Sequence, residues 1–278
     1  MSAAELGVFA RCFPVQRAAD LARTVAQHGF TTVQLNLSAL GLPTIPDEAS
    51  LARIDLAAIA RDFHDEGLAL WGLSASYNMV HPEPGRAAEQ TRQAARLVRR
   101  AAELGVRAVT LCTGSRDPEN MWRAHPDNTS AAAWSELLAN LGPLLDAADE
   151  ADVLLAVEPE PGNVIADTAA ALRLVAELGE RARRIGFVLD PANLVGDSPP
   201  EEFASILHDA FDRLGEAAIC VHAKDVVSWD ARLAGGSGLD LGLVRALHAA
   251  LPHPVPVIIQ DADPQNIRAV KNLVQGHA

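Results

Sequence analysis

The chain has 278 residues, of which 49% are hydrophobic, and its formal net charge is -13. This length and apolar content are sufficient for one full α/β core. The negative charge argues against nucleic acid or an anionic membrane as a partner, because either would repel the protein.

The N-terminal segment MSAAELGVFA (1–10) lacks a basic region followed by a long apolar stretch, so we expect no signal peptide. No apolar run approaches the length of a membrane span. The cysteines at positions 12, 112 and 220 lie far apart within apolar runs, which is typical of reduced core thiols. These features predict a cytoplasmic protein without a membrane partner. They leave a homo-oligomer open.

Eight short apolar runs recur along the chain, and segments with helical spacing follow them. The runs are LGVFARC (6–12), TTVQLNL (31–37), LALWGLSAS (68–76), AVTLCTG (108–114), VLLAVEP (153–159), IGFVLD (185–190), AAICVHAKD (217–225) and VPVIIQD (255–261). The clearest predicted helices are RAADLARTVAQHG (17–29), AEQTRQAARLVRRAAELG (88–105), AAAWSELLANLGPLLDAADEA (131–151) and TAAALRLVAELGERA (168–182). Helix-ending glycines are expected at Gly29, Gly67, Gly105 and Gly179.

Strands that are almost continuously apolar indicate a parallel sheet covered on both sides. Eight such units in one chain suit a (β/α)8 barrel, which takes about 250 residues. A doubly wound open sheet would need a glycine-rich phosphate turn after an early strand. The only glycine cluster, GGSG (235–238), follows the seventh strand, where we expect a turn before a helix that begins near Asp240. We therefore predict one TIM-barrel domain over residues 1–278.

Polar residues stand at the ends of four consecutive predicted strands. Glu158 ends the fifth strand, Asp190 ends the sixth, His222 lies in the seventh and Gln260 ends the eighth. The carboxyl ends of barrel strands meet at the active-site mouth, so these side chains are expected to lie together. One of them alone is more typical of a cap or loop residue. Four at matching positions predict a site for one divalent metal ion, such as Mn²⁺, Mg²⁺, Co²⁺ or Zn²⁺.

Several motifs resemble those of the xylose isomerase-like TIM barrels, both in their residues and in their order along the chain. This superfamily includes sugar phosphate isomerases and epimerases and the endonuclease IV-like proteins of AP endonuclease family 2. The resemblance covers essentially the whole chain and is not specific for a substrate. The motifs are YNMVHPEPGR (77–86), LCTGSRDPENMWRAHPDN (111–128), VEPEPGN (157–163), GFVLDPANL (186–194), CVHAKD (220–225) and GGSGLDLGLVRAL (235–247).

The resemblance assigns Glu158, Asp190, His222 and Gln260 to the metal. In the isomerases and epimerases of this superfamily, glutamates on the fifth and eighth strands flank the substrate and move a proton between adjacent carbons. Here the eighth strand ends in Gln260, whose carboxamide has no basicity near neutral pH. This substitution argues against a mechanism with two bases. The chain also has Asn193 where many members have a histidine.

Three further residues lie near the predicted mouth. Lys224 shares a strand face with His222 and could stabilise a negatively charged oxygen, although a solvated rim lysine is an equal alternative. Asp225 points to the opposite face and is expected to brace Lys224 or a loop. For Glu160, which follows Pro159, a loop acid is favoured over a residue that supports the site.

A substrate-binding lid is predicted from polar loops after the third and fourth strands. Asn78 and His81 follow the third strand, and Arg116 and His125 follow the fourth. Arg116 is a candidate anchor for an anion. Surface positions are the alternative for these residues. With Asn193, they form the predicted substrate-binding set.

The leading prediction is a metal-dependent isomerase or epimerase that acts on a small carbohydrate or related polyhydroxylated carbonyl compound, such as a ketose, an inosose or a 2-oxo acid. Glu158 would be the base, and Lys224 and Gln260 would assist, with isomerisation favoured. A dehydratase or lyase on a keto-polyol of the inosose or dehydroshikimate type is the alternative, because it needs one base and a separate acid such as His81 or Lys224.

A non-catalytic sugar-binding relative is the third interpretation, in which Gln260 has removed the chemistry. A DNA-repair endonuclease is set aside. Such proteins use three metals, more histidine ligands and basic loops, whereas this chain has a net charge of -13.

Overall fold

Eight parallel strands pair in sequence order, and the first pairs with the eighth, which closes a barrel. The computed structural model describes residues 5–224 and 238–276. The predicted (β/α)8 TIM barrel is confirmed, and each strand is shorter than the apolar run that contains it. The strands are β1 (Leu6–Phe9), β2 (Thr32–Leu35), β3 (Ala69–Ser74), β4 (Ala108–Leu111), β5 (Leu154–Val157), β6 (Ile185–Leu189), β7 (Ala218–Ala223) and β8 (Val257–Ile259).

The described helices lie between and after these strands. The predicted helix 131–151 is confirmed in full as α5, whereas the predicted helix 88–105 divides into α4 and a 3-10 turn at Ala101–Leu104. The helices are α1 (Ala18–Gln27), α2 (Glu48–Leu51), α3 (Leu56–Asp65), α4 (Arg86–Arg99), α5 (Ala131–Ala151), α6 (Thr168–Leu178), α7 (Pro191–Val195), α8 (Phe203–Leu214), α9 (Leu241–Ala249) and α10 (Ile267–Gln275).

Local signals place the ends of these helices. The glycines predicted to end helices, Gly29, Gly67, Gly105 and Gly179, all have positive φ. Asp240 caps α9, because its carboxylate accepts hydrogen bonds from the backbone N–H groups of Gly242 and Leu243. Two predictions, the turn at 235–237 and the bracing role of Asp225, lie outside the described residues. No helix in the described part of the chain combines the length and apolarity that crossing a membrane requires.

The residues beneath the predicted site form a fully buried apolar layer. Ala156, Val188, Cys220 and Ile258 each have no solvent exposure. Each lies two residues before a polar residue at or near a strand end, so it shares that residue's strand face. The polar groups therefore rest on a packed apolar core.

Buried asparagines join the loops that follow β3, β4 and β5. The side chain of Asn78 accepts a hydrogen bond from Ser115 N (3.0 Å) and donates one to Ser115 O (2.7 Å). Asn163 accepts from Gly114 N (2.7 Å) and donates to Met121 O (3.2 Å). Because these carboxamides satisfy backbone groups of a neighbouring loop, they fix the loops relative to each other.

Gly162 packs directly against the backbone of Trp122. A Cβ atom at position 162 would lie 1.9 Å from the Trp122 carbonyl oxygen, which is rigid backbone. By contrast, a Cβ atom at Gly142 in α5 would meet no heavy atom within 4 Å. Only the first position therefore requires glycine for close packing.

We expect Gly162→Ala to lower the free energy of unfolding by about 1–3 kcal/mol, because the two loops must separate to admit the methyl group. Gly142→Ala is the matched control and is expected to stay within about 1 kcal/mol of the native value. Urea unfolding followed by circular dichroism measures both. Equal effects of the two substitutions would contradict the packing described.

Candidate active site

Three polar side chains converge where β5, β6 and β7 end. Glu158 directly follows β5, Asp190 directly follows β6, and His222 is the penultimate residue of β7. One potential ligand atom from each lies within 4.8 Å of the others. Asp190 is completely buried, and the side chains of Glu158 and His222 are 13% and 2% exposed. The structure thus brings together three of the four residues predicted to bind a metal.

Gln34 fixes the protonation of the His222 ring. Nε2 of His222 lies 2.9 Å from the carboxamide oxygen of Gln34, whose own Nε2 donates to Thr110 Oγ1 at 3.3 Å. A carboxamide oxygen only accepts, so the proton is on His222 Nε2 and Nδ1 carries a lone pair. That Nδ1 is 3.1 Å from Oε2 of Glu158.

Gln34 was not identified from the sequence as a functional residue. The available signal was a polar residue inside the apolar run TTVQLNL. In the structure this residue is only 2% exposed. Buried polar residues in a strand need a partner, and here the partner comes from β7 across the barrel.

Further acceptor atoms at the site lack a donor. One oxygen of Asp190, Oδ1, accepts from the backbone N–H groups of Ala192 (2.8 Å) and Asn193 (3.3 Å), which caps α7. The other, Oδ2, is buried without a hydrogen-bond partner, as are His222 Nδ1 and the Gln260 carboxamide oxygen. Buried acceptors that face each other without donors are costly, and a divalent cation would satisfy them. The residues present therefore fit a metal ion.

Gln260 follows β8, and its backbone N–H donates to Ala223 O at 3.0 Å. Its unpartnered oxygen agrees with a neutral ligand, although the cluster described above consists of Glu158, Asp190 and His222. A role for Gln260 in metal binding stays a prediction.

Burial dominates the acid–base properties of the cluster. It raises the pKa of Glu158 to about 7 and, together with the charge of Glu158, raises the pKa of Asp190 to about 7. It also lowers the pKa of His222, which keeps the imidazole neutral. For Lys224, burial opposes the charged form, but the carboxylates of Asp190 and Glu158 outweigh it and raise the pKa.

Asn193 links the predicted base to the predicted cation. Its Nδ2 donates to Glu158 Oε1 at 2.5 Å, and its Oδ1 accepts from Lys224 Nζ at 3.2 Å. The carboxamide is suited to this position, because it can donate to a carboxylate and accept from an ammonium at once. The structure therefore places Asn193 between Glu158 and Lys224, and contact with substrate stays a prediction.

Glu160 lies closer to the site than the sequence suggested. It is in a loop, as expected, but it is half-buried, and Cys112 Sγ is 3.8 Å from its Oε2. Burial and the neighbouring charge of Glu158 raise its pKa to about 8. Glu160 is therefore a loop acid, as predicted, and its half-buried carboxyl group lies near the charge of Glu158.

The lid residues predicted from the sequence are bonded to neighbouring loops and to α5. Both ring nitrogens of His81 are used, since Nδ1 accepts from Glu83 N (3.0 Å) and Nε2 donates to Pro118 O (3.2 Å). Arg116 pairs with Glu136 at 2.6 Å. His125 caps a short 3-10 helix (Pro126–Thr129), because its ring accepts a hydrogen bond from Asp127 N at 3.2 Å. These bonds weaken the case for His81 as an acid, while substrate contacts stay predictions.

A TIM barrel with a cluster of carboxylate and imidazole acceptors at its mouth defines the class of protein. The model for the xylose isomerase-like TIM barrel family matches residues 22–252. The chain belongs to this family, as its motifs predicted.

Solved structures share the fold at low sequence identity. A putative xylose isomerase from Rhodospirillum rubrum has a TM-score of 0.76 and 18% identity, with 99% of each chain covered. The 3-keto-D-glucoside 4-epimerase YcjR from E. coli has a TM-score of 0.73 and 16% identity, covering 98% of this chain and 99% of its own. D-psicose 3-epimerase has a TM-score of 0.69 and 14% identity, covering 98% of this chain and 96% of its own. No curated protein matches the chain.

We expect Asp190→Asn to stabilise the metal-free protein at pH 8, on the order of 2 kcal/mol. The pKa of Asp190 is raised from 3.8 to about 7, so the folded state holds its proton more tightly than the unfolded chain. The stability from that proton is present at low pH and is lost as the pH rises toward 7. The variant should therefore equal the native protein near pH 4 and exceed it at pH 8.

Added Mn²⁺ should reverse this order at pH 8, because the native carboxylate would bind it. Thermal unfolding with and without Mn²⁺ measures both effects. Finding no stabilisation of the native protein by Mn²⁺, Mg²⁺, Co²⁺ or Zn²⁺ would overturn the metal site.

We expect Gln34→Leu to weaken Mn²⁺ binding by about 10–100-fold, because His222 would lose the bond that directs its Nδ1 lone pair into the cluster. Isothermal titration calorimetry measures the affinity. Gln93→Leu, on the outer surface of α4, is the matched control and should bind Mn²⁺ as the native protein does. Unchanged affinity in Gln34→Leu would show that the His222 orientation does not depend on this bond.

Proposed function

We propose that the protein is a metal-dependent sugar isomerase or epimerase that transfers a proton next to a carbonyl group. The observation that carries the proposal is the buried cluster of Glu158, Asp190 and His222, in which three acceptors face each other at the mouth of the barrel. Family membership and the epimerases among the structural neighbours support it.

Glu158 is the proposed base. Its carboxylate is 13% exposed at the mouth of the barrel, where it can take a proton from carbon and return it. The hydrogen bond from Asn193 holds Oε1 in place, so the carboxylate is oriented before substrate binds. A bound divalent cation would polarise the carbonyl and hydroxyl oxygens of the substrate.

Lys224 is the proposed charge stabiliser. Neighbouring carboxylates raise its pKa, which keeps the ammonium charged, and Asn193 holds Nζ near Glu158. A fixed positive charge there would stabilise the oxygen that becomes negative as the proton leaves carbon.

The absence of a glutamate at position 260 favours proton transfer on one face of the substrate. Gln260 cannot accept a proton near neutral pH, so it cannot serve as the base opposite Glu158. A single base that moves a proton between adjacent carbons interconverts an aldose and a ketose. We therefore propose isomerisation ahead of epimerisation.

The test is turnover of a panel of aldoses, ketoses and inososes by the Mn²⁺-loaded protein in D₂O, followed by NMR. We expect rearranged sugar that carries solvent deuterium next to the carbonyl. Glu158→Gln should lower kcat by at least about 10²–10⁴-fold, because the base is lost. Glu180→Gln, on the outer surface, is the control and should retain activity.

Two outcomes would overturn isomerisation. Loss of water with a new ultraviolet enone band would establish a dehydratase. If neither the native protein nor Gln260→Glu converts any sugar while both bind Mn²⁺, a non-catalytic relative would be established.

A further inference from the structure

A polar cleft of about 650 Å³ lies between the loops that follow β2, β3 and β4. Its lining includes Thr44, His81, Asn120 and Trp122. The loops follow the carboxyl ends of strands, so the cleft opens at the same end of the barrel as Glu158. None of the three cluster residues lines it, so its volume is additional to the space at the cluster.

The wall of this cleft is joined to the loop that carries Glu158. Gly162 packs against the Trp122 carbonyl, and Asn163 Nδ2 donates to Met121 O at 3.2 Å. Both residues belong to the segment that begins at Glu158. The cleft wall and the segment that begins at Glu158 therefore pack as one unit at the mouth of the barrel.

Trp122 is an exposed aromatic side chain on the cleft wall. It is 52% exposed, whereas Trp71 and Trp134 are 8% and 6% exposed. Its backbone N–H donates to Asn120 Oδ1 at 3.0 Å, which fixes its position in the loop. An exposed indole bordered by polar groups is suited to a sugar ring, because the C–H face can stack while hydroxyl groups form hydrogen bonds.

The positive charges of this cleft already have partners. Arg86 pairs with Glu83 at 3.2 Å, and Arg123 pairs with Asp117 at 3.0 Å and with Glu119 at 3.5 Å. A phosphate or carboxylate group would have to displace these acids to bind the arginines. The cleft therefore favours a neutral ligand over an anionic one.

We propose that the substrate is a neutral sugar of glycoside type, with two linked rings. The ring with the carbonyl group lies at the cluster, and the second ring lies in the cleft against Trp122. This inference rests on the proposed function and adds to it the size and charge of the substrate.

The test compares binding of three kinds of ketose to the Mn²⁺-loaded protein by calorimetry. The probes are reducing disaccharides with a ketose unit (lactulose, isomaltulose and turanose), D-fructose, and fructose 6-phosphate. We expect at least one disaccharide to bind about tenfold more tightly than either fructose or its phosphate. Tightest binding of fructose 6-phosphate, or no disaccharide preference, would overturn the proposal.

Trp122→Ala should weaken disaccharide binding about tenfold and affect it at least five times more than fructose binding. Trp122→Phe, which keeps an aromatic face, should restore most of the affinity. Equal losses for both kinds of sugar would overturn the placement of the second ring.

Failure of this inference differs from failure of the proposed function. If fructose takes up deuterium from D₂O and no disaccharide is preferred, the proposed function stands and the cleft assignment falls. If no sugar reacts but disaccharide binding depends on Trp122, the cleft assignment stands as a sugar site without the chemistry.

Discussion

The site depends on mutual repulsion between acceptors held where water cannot separate them. Gln34 directs the His222 proton away from Glu158, so a lone pair and a carboxylate oxygen face each other at 3.1 Å. Asp190 adds a further oxygen without a donor. Such an arrangement is unfavourable when the carboxyl groups are charged, which is consistent with the raised pKa values of Glu158 and Asp190, and a cation would make it attractive. The fold therefore holds three acceptors in an arrangement that a cation would stabilise.

The surrounding structure keeps these groups from relaxing. An apolar layer lies beneath them, and α7 holds Asp190 through its backbone N–H groups. At the mouth, the carboxamides of Asn78 and Asn163 bond the loops to each other. The side chains at the mouth are consequently supported by hydrogen bonds between loops as well as by the strands.

The sequence was sufficient to predict the barrel and the convergence of Glu158, Asp190 and His222, because the carboxyl ends of the strands in a parallel barrel lie at one edge. The sequence did not identify Gln34 as a residue of the site, because its partner His222 is 188 positions away in the chain. It also offered His81 as a candidate acid, because the bonds of its ring to Glu83 and Pro118 depend on how the loops fold. Hydrophobic periodicity predicts which strand face is buried and where a strand ends, whereas hydrogen bonds between loops depend on how the loops fold.

The two carboxylate oxygens of Asp190 have different surroundings. Oδ1 caps α7 and is needed whether or not the protein has activity, whereas Oδ2 faces the cluster. A relative that lost catalysis would therefore keep this aspartate for its helix. Retention of the aspartate is weak evidence of activity in the family. Joint retention of Glu158, His222 and Gln34 is a more informative sign, because in this structure their buried polar atoms meet at the cluster.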